Sequence, residues 1–156
     1  MFSIKEVRDN KKKKSITEKI IFALPEWFDE AGRKEYPNNL DDKIFFSVYD
    51  KEKAVGLIAL KRINDYTIEI YVLGVLKEYH GNSVGKTLLN KAVEFAIEKS
   101  YKLLMVKTLG ESANYEYYDR TRNFYYRVGF YPLEEFKEIW DENNPCLIMV
   151  KPLDEN

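Results

Sequence analysis

The chain predicts one mixed α/β domain, and three observations carry that prediction. Apolar, β-prone stretches at residues 43–49, 54–61 and 66–75 follow one another across short polar turns, as in an antiparallel meander. The last of them is followed by an amphipathic helical stretch and then by the nearly all-apolar run 101–108. That is the order of a strand–helix–strand crossover joining a parallel pair. The 156 residues suit a single domain, 1–156, with its own core, and no linker or repeat interrupts them.

Each element has a local reason. Residues 2–7 alternate and read as a short first strand. Ile16, Ile20, Ile21 and Leu24 recur at helical spacing, so residues 15–24 read as a helix that Pro25 ends. Trp27, Phe28, Ala31 and Tyr36 suggest a second short helix, stopped near Pro37. Polar turns at 50–53 and 64–65 separate the meander strands. After Gly85, the residues Leu88, Leu89, Ala92, Val93 and Ala96 make one apolar stripe opposite Lys86, Asn90, Lys91, Glu94 and Glu98. Residues 120–128 read as a last helix, with Gly129 placed to terminate it. Strands at 130–133 and 146–150 complete the sheet on either side of a polar loop, 141–145.

Composition narrows the function classes. Hydrophobic residues make up 45% of the chain and aromatics 15%, too apolar for a disordered segment. A net charge of −1, with acids and bases interspersed, argues against a nucleic-acid or membrane-surface partner. The one basic block, residues 11–14, reads as a solvated face at a helix start. Cys146 is the single cysteine, so no intrachain disulfide can form and a reducing compartment is permitted. Glu18 and Lys19 interrupt residues 15–24 as a signal-peptide core, and no apolar run approaches the roughly 20 residues of a membrane span. A cytoplasmic protein is expected. His80 is the single histidine and has no cysteine cluster beside it, so no metal site is expected.

The most informative stretch runs from residue 68 to residue 89. A strand carrying one carboxylate, Glu69, leads into the turn Gly81-Asn82-Ser83-Val84-Gly85-Lys86-Thr87 and then into the clearest helix. Backbone N–H groups at a helix N-terminus form a ready pyrophosphate site. A nucleoside-triphosphate loop fits poorly: it needs four residues between its glycines before Lys and Ser/Thr, and here there are three. The following strand also ends without an acid to hold magnesium.

This stretch resembles the GNAT superfamily of N-acetyltransferases. There a strand leads into Gln/Arg-x-x-Gly-x-Gly/Ala and a helix, matched here by His80-Gly81-Asn82-Ser83-Val84-Gly85. His80 stands for Gln/Arg and Ser83 for the first motif glycine; a grip made by backbone N–H groups survives both changes. A second signature of the family, an aromatic residue, then Tyr, three residues and Gly-Phe, is matched by Phe124-Tyr125, Gly129 and Phe130. Together these cover about residues 43–133, and the last strand also fits.

The resemblance implies a mostly antiparallel sheet of six to seven strands, flanked by about four helices, in which a splayed strand pair binds acetyl-CoA. Gly74 is expected to mark a bulge or a close backbone approach, the resemblance implying the bulge that opens the splay, with Glu69, Tyr71 and Leu73 sharing one strand face. The resemblance also assigns the cofactor contacts to the backbone of Leu73 and Val75 and to the turn residues His80, Gly81, Asn82, Ser83, Val84, Gly85 and Lys86. Glu69 becomes the candidate general base and Tyr125 the candidate general acid. Glu26, Trp27, Phe28 and Trp140 become the candidate acceptor contacts, and aromatic faces with a carboxylate suit a cationic amine. The expected reaction is direct attack of a primary amine, on a small molecule or a peptide, upon the thioester, with no metal. The alternative is a catalytically silent acyl-CoA-binding sensor, since both departures from the motif fall in the cofactor turn. A homodimer paired through the last strands is open.

Overall fold

The computed structural model describes residues 2–154. Its elements are β1 (Phe2–Glu6), α1 (Asn10–Phe22), α2 (Glu30–Glu35), β2 (Ile44–Asp50), β3 (Lys53–Arg62), β4 (Thr67–Val75), α3 (Val84–Glu98), β5 (Leu103–Leu109), α4 (Glu116–Arg127), β6 (Tyr131–Asp141) and β7 (Asn144–Pro152). The strands form one seven-stranded sheet in the order β1-β2-β3-β4-β5-β7-β6. The β4–β5 pair is parallel and every other neighbouring pair is antiparallel. The mixed, mostly antiparallel α/β fold with four helices is therefore as expected.

Caps explain where element bounds depart from the apolar spacing. α1 starts at Asn10, before the first apolar residue of its stripe, because Asp9 accepts the Lys11 N–H at 2.9 Å. The basic block thus lies in the first turns of α1, and it is not wholly solvated. Lys13 is buried, and its Nζ donates to the carbonyls of Leu40 and Lys43 at 3.3 and 2.8 Å. Asp29 caps α2 by accepting the Gly32 N–H, which leaves Trp27 and Phe28 in the loop before it. β6 runs on to Asp141, well past residue 133. It is an edge strand, bonded to β7 alone and exposed along nearly its whole length, so no apolar alternation marks it. Asp141 closes the β6–β7 hairpin by accepting the N–H groups of Asn143 and Asn144, both at 2.9 Å.

Helices cover both faces of the sheet, and two glycines record how closely. A Cβ on Gly56 of β3 would stand 2.9 Å from Val84 and 3.1 Å from Leu88, both on α3. On the opposite face, a Cβ on Gly74 of β4 would stand 3.2 Å from Ile20 of α1. No helix among the described residues is long and apolar enough to cross a membrane. Gly56→Ala should overpack the α3 contact and destabilise the fold by about 1–3 kcal/mol, read as a lower denaturation midpoint with unchanged m-value.

Candidate active site

β4 and β5 part company halfway. Their ladder runs from Thr67↔Leu103 to Ile70↔Val106 and stops there, although the strands continue to Val75 and Leu109. Beyond that point β4 stays on β3, and β5 stays on β7. The cause on the β4 side is a bulge. Ile70 pairs with Leu60 and Val72 with Ala59, so Tyr71 is an extra residue, and an extra residue bends and twists its strand. The expectation that Gly74 carries the bulge is corrected: Gly74 pairs regularly with Leu57, and α1 lies close over it.

The bulge also reverses the faces beyond it. Glu69 opposes Lys61, and Gly74 opposes Leu57, on the α1 face. Leu73 opposes Ile58, and Val75 opposes Gly56, on the α3 face. Glu69 and Leu73 therefore do not share a face, as unbroken alternation would have required. The Leu76 N–H bonds the Val55 carbonyl at 3.0 Å. With alternate residues bonded to β3, the N–H and C=O of Leu73 and the N–H of Val75 turn into the gap, while the Val75 carbonyl is taken by the His80 ring.

The turn after β4 is held in left-handed backbone. Gly81 has φ of 84°, and Ser83, the N-cap of α3, has φ of 63° and ψ of 14°. The Thr87 N–H takes the Ser83 carbonyl at 2.9 Å, and no side chain caps the helix. The amides of Val84, Gly85 and Lys86 are left without a helical acceptor, at the positive end of the helix dipole. A Cβ on Gly85 would stand 3.6 Å from the Phe124 ring, so α4 borders the same turn. His80 turns inward: its Nε2–H donates to the Val75 carbonyl at 2.7 Å, and its ring meets Trp27 edge-to-face at 5.6 Å.

A cleft of about 1450 Å³ joins the turn, the gap and the loop between α1 and α2. Leu73, Val75, His80, Gly81, Ser83, Val84, Gly85 and Lys86 line it; Asn82 is not among its lining residues. Lys86, Arg120 and Arg127 supply positive charge along the same cleft.

Tyr125 lines the cleft from α4 and packs against Phe124 and Phe130, with ring centroids 5.4 and 5.2 Å away. It is 4% exposed, whereas its neighbour Tyr126 is 46% exposed on another face of α4. Burial raises the Tyr125 phenol far above its ordinary range, so it carries its proton. Glu69 is 5% exposed, and its carboxylate lies 3.7 Å from Lys107 Nζ. Burial raises its pKa; Lys107, Lys61 and Lys43 pull it back in part. Glu69 is not itself a lining residue, whereas Lys107 and Tyr71 beside it are.

Glu26, Trp27, Phe28 and Trp140 all line the cleft. Glu26 is ion-paired with Lys77 at 2.5 Å, which lowers its pKa. Trp27 braces the loop against α4: its Nε1–H reaches the Tyr117 carbonyl at 3.4 Å, and the Tyr118 hydroxyl donates to the Trp27 carbonyl. Phe28, Tyr36 and Tyr71 form an edge-to-face row, with centroids 5.8 and 5.1 Å apart. Sequence reasoning missed Tyr36, Tyr118, Lys107 and Thr108, which also line the cleft. Tyr118 could have been found, since it lies seven residues before Tyr125 on one helical stripe; burial pushes its phenol up to about 12. The Cys146 thiol is buried and pushed up to about 11, which leaves it protonated and a poor nucleophile. Among the described residues, no group of three or more His, Cys, Asp or Glu side chains could hold a metal ion.

The profile of the acetyltransferase (GNAT) family matches residues 14–130, and the chain belongs to that family. No curated protein sequence matches it. A GNAT-family protein from Desulfovibrio desulfuricans superposes with a TM-score of 0.82 at 15% identity, covering 99% of this chain and 100% of that one. A GNAT-family acetyltransferase from Elizabethkingia anophelis, with acetyl-CoA bound, gives 0.76 at 15% identity over 97% and 98%. An aminoglycoside 6'-N-acetyltransferase complexed with coenzyme A gives 0.77 at 17% identity over 99% and 98%. At these identities the likeness is one of fold.

Ser83 holds a left-handed conformation that disfavours a side chain by roughly 1–2 kcal/mol. Ser83→Gly should relieve that strain, offset in part by the flexibility glycine adds to the unfolded chain. Thermal unfolding should show a raised Tm; a lowered one would mean that the Ser83 side chain stabilises the turn.

Proposed function

We propose that the protein is an acetyl-CoA-dependent N-acetyltransferase acting on a primary amine by direct transfer. The observation that carries this reading is the interrupted β4–β5 ladder, which ends in a helix N-terminus with unspent amides and is bordered by the buried Tyr125. The pyrophosphate is assigned to the amides from Ser83 to Lys86, with Lys86, Arg120 and Arg127 adding charge. The backbone of Leu73 and Val75 takes the pantetheine arm, and the Leu73 N–H faces the thioester oxygen, where negative charge develops. His80 keeps the end of β4 registered with the turn by its bond to Val75.

An alkyl amine arrives protonated, with a pKa of about 10.4, and must lose its proton before attack. Glu69 accepts it, directly or through water, and burial makes it a stronger base than an exposed carboxylate. The amine nitrogen then attacks the carbonyl carbon, the positively charged nitrogen of the tetrahedral intermediate gives up its second proton to solvent, and the C–S bond breaks as the carbonyl reforms. Tyr125 gives its proton to the departing thiolate and is reprotonated from solvent. The acceptor lies against Trp27, Phe28, Tyr36 and Trp140, whose ring faces suit a cation. Glu26 serves there as part of the wall, because Lys77 already neutralises it.

Calorimetry with acetyl-CoA, followed by a thiol-release assay over a panel of small amines, aminoglycosides and peptide amines, tests the reading. Tight binding with no turnover on any amine would favour the silent sensor; no binding would refute both. Tyr125→Phe should lower kcat by about 10-fold or more while leaving acetyl-CoA affinity unchanged. Lys107→Met removes a cation that holds the Glu69 pKa down, so the acid limb of kcat/KM should move to higher pH. If that limb stays where it is, Glu69 is not the base.

A further inference from the structure

Lys107 holds an amine beside the candidate base. On β5, Met105 and Lys107 share the face opposite to the buried Leu104, Val106 and Thr108. Met105 is the register partner of Glu69, so Lys107 leaves the strand on the Glu69 side, one residue beyond the last rung of the β4–β5 ladder. Its Nζ stands 3.7 Å from the Glu69 carboxylate, longer than a hydrogen bond, and its side chain is 33% exposed. The ammonium is therefore paired with Glu69 without being pinned to it, and the residue lines the cleft.

The other nearby lysines are placed differently. Lys86 also lines the cleft, but it lies at the start of α3, in the turn assigned to the pyrophosphate. Lys43 also pulls on Glu69, but its side chain is 7% exposed, ion-paired with Asp42 at 2.5 Å and seated over the Tyr71 ring at 4.7 Å. Lys61 opposes Glu69 on β3 and does not line the cleft. Lys107 alone among them joins an amine near the base to a place in the cleft where the gap opens.

We propose that Lys107 is an acetylation site of the protein itself, its Nζ taking the acetyl group from the bound donor when no outside amine fills the cleft. This rests on the acetyl-CoA reading of the cleft. The Lys107 ammonium passes one proton to Glu69, and the neutral Nζ attacks the thioester carbonyl carbon. The tetrahedral nitrogen gives up a second proton to solvent, the C–S bond breaks, and Tyr125 protonates the departing thiolate. The Glu69 proton returns to solvent, and Tyr125 is reprotonated from it. Lys107 ends as a neutral secondary amide, and the cation beside Glu69 is gone.

The test is mass spectrometry of the purified protein incubated with acetyl-CoA alone, beside calorimetry of acetyl-CoA binding. Peptide mapping should place a new acetyl group on Lys107. The labelling rate per chain should saturate at the affinity that calorimetry gives, and it should not change when the protein is diluted, since site and lysine belong to one chain. Glu69→Gln should slow labelling by about 10-fold or more. Acetyl-CoA that binds without labelling Lys107 overturns the proposal. So does label that rises in proportion to acetyl-CoA without saturating, which is chemical acetylation, or label that Glu69→Gln leaves at the wild-type rate. Wild-type protein that binds no acetyl-CoA overturns the reading of the cleft and this site with it.

Discussion

The β4–β5 ladder ends at Ile70 and Val106, and the candidate site depends on that break. Two parallel strands lose hydrogen bonds when they separate, and their backbone groups must find other partners. Here one extra residue, Tyr71, turns β4 along β3, while β7 holds β5 on its own line. The two walls therefore diverge without fraying. Groups released from the ladder, the Leu73 N–H and C=O and the Val75 N–H, are left without a partner strand, while the Val75 carbonyl is met by His80. The start of α3, with its unspent amides, stands at the end of the same gap.

The second constraint is how the cleft is roofed. The loop between α1 and α2 crosses to α4 through Trp27, Tyr117 and Tyr118, and reaches the post-β4 segment through Glu26–Lys77 and Trp27–His80. The polar atoms of Glu26 and Trp27 are thus committed to the protein's own scaffold, while their side chains still line the cleft. Bracing and acceptor contact are compatible roles for one residue when the bracing uses its polar edge and the contact uses its apolar face. The same economy applies to His80, whose ring holds Val75 rather than reaching outward.

Much of this was legible in local pattern. The helical stripe of α3, the glycine that ends α4 and the meander of β2 to β4 follow from periodicity and turn chemistry, and the structure keeps each of them. Gly129 has a φ of 98°, as a terminating glycine requires. The departure at Ser83 was visible too, and the structure puts a non-glycine residue in left-handed backbone there. What local pattern hid were features set by contacts from elsewhere in the chain: β6 as a long exposed edge and Lys13 buried against two carbonyls.

By itself, then, the sequence determined the kind and order of the elements, the mixed sheet and the membership of the acetyltransferase family. Those rest on spacing within a single segment or on short motifs, which carry their own physics. Tertiary structure alone decided that the bulge falls on Tyr71 and that Glu69 is buried beside Lys107 and faces away from Leu73. Each of these depends on register between strands and on which side chains approach from elsewhere in the chain. A one-residue shift in register exchanges the two faces of a strand, and no local pattern records it.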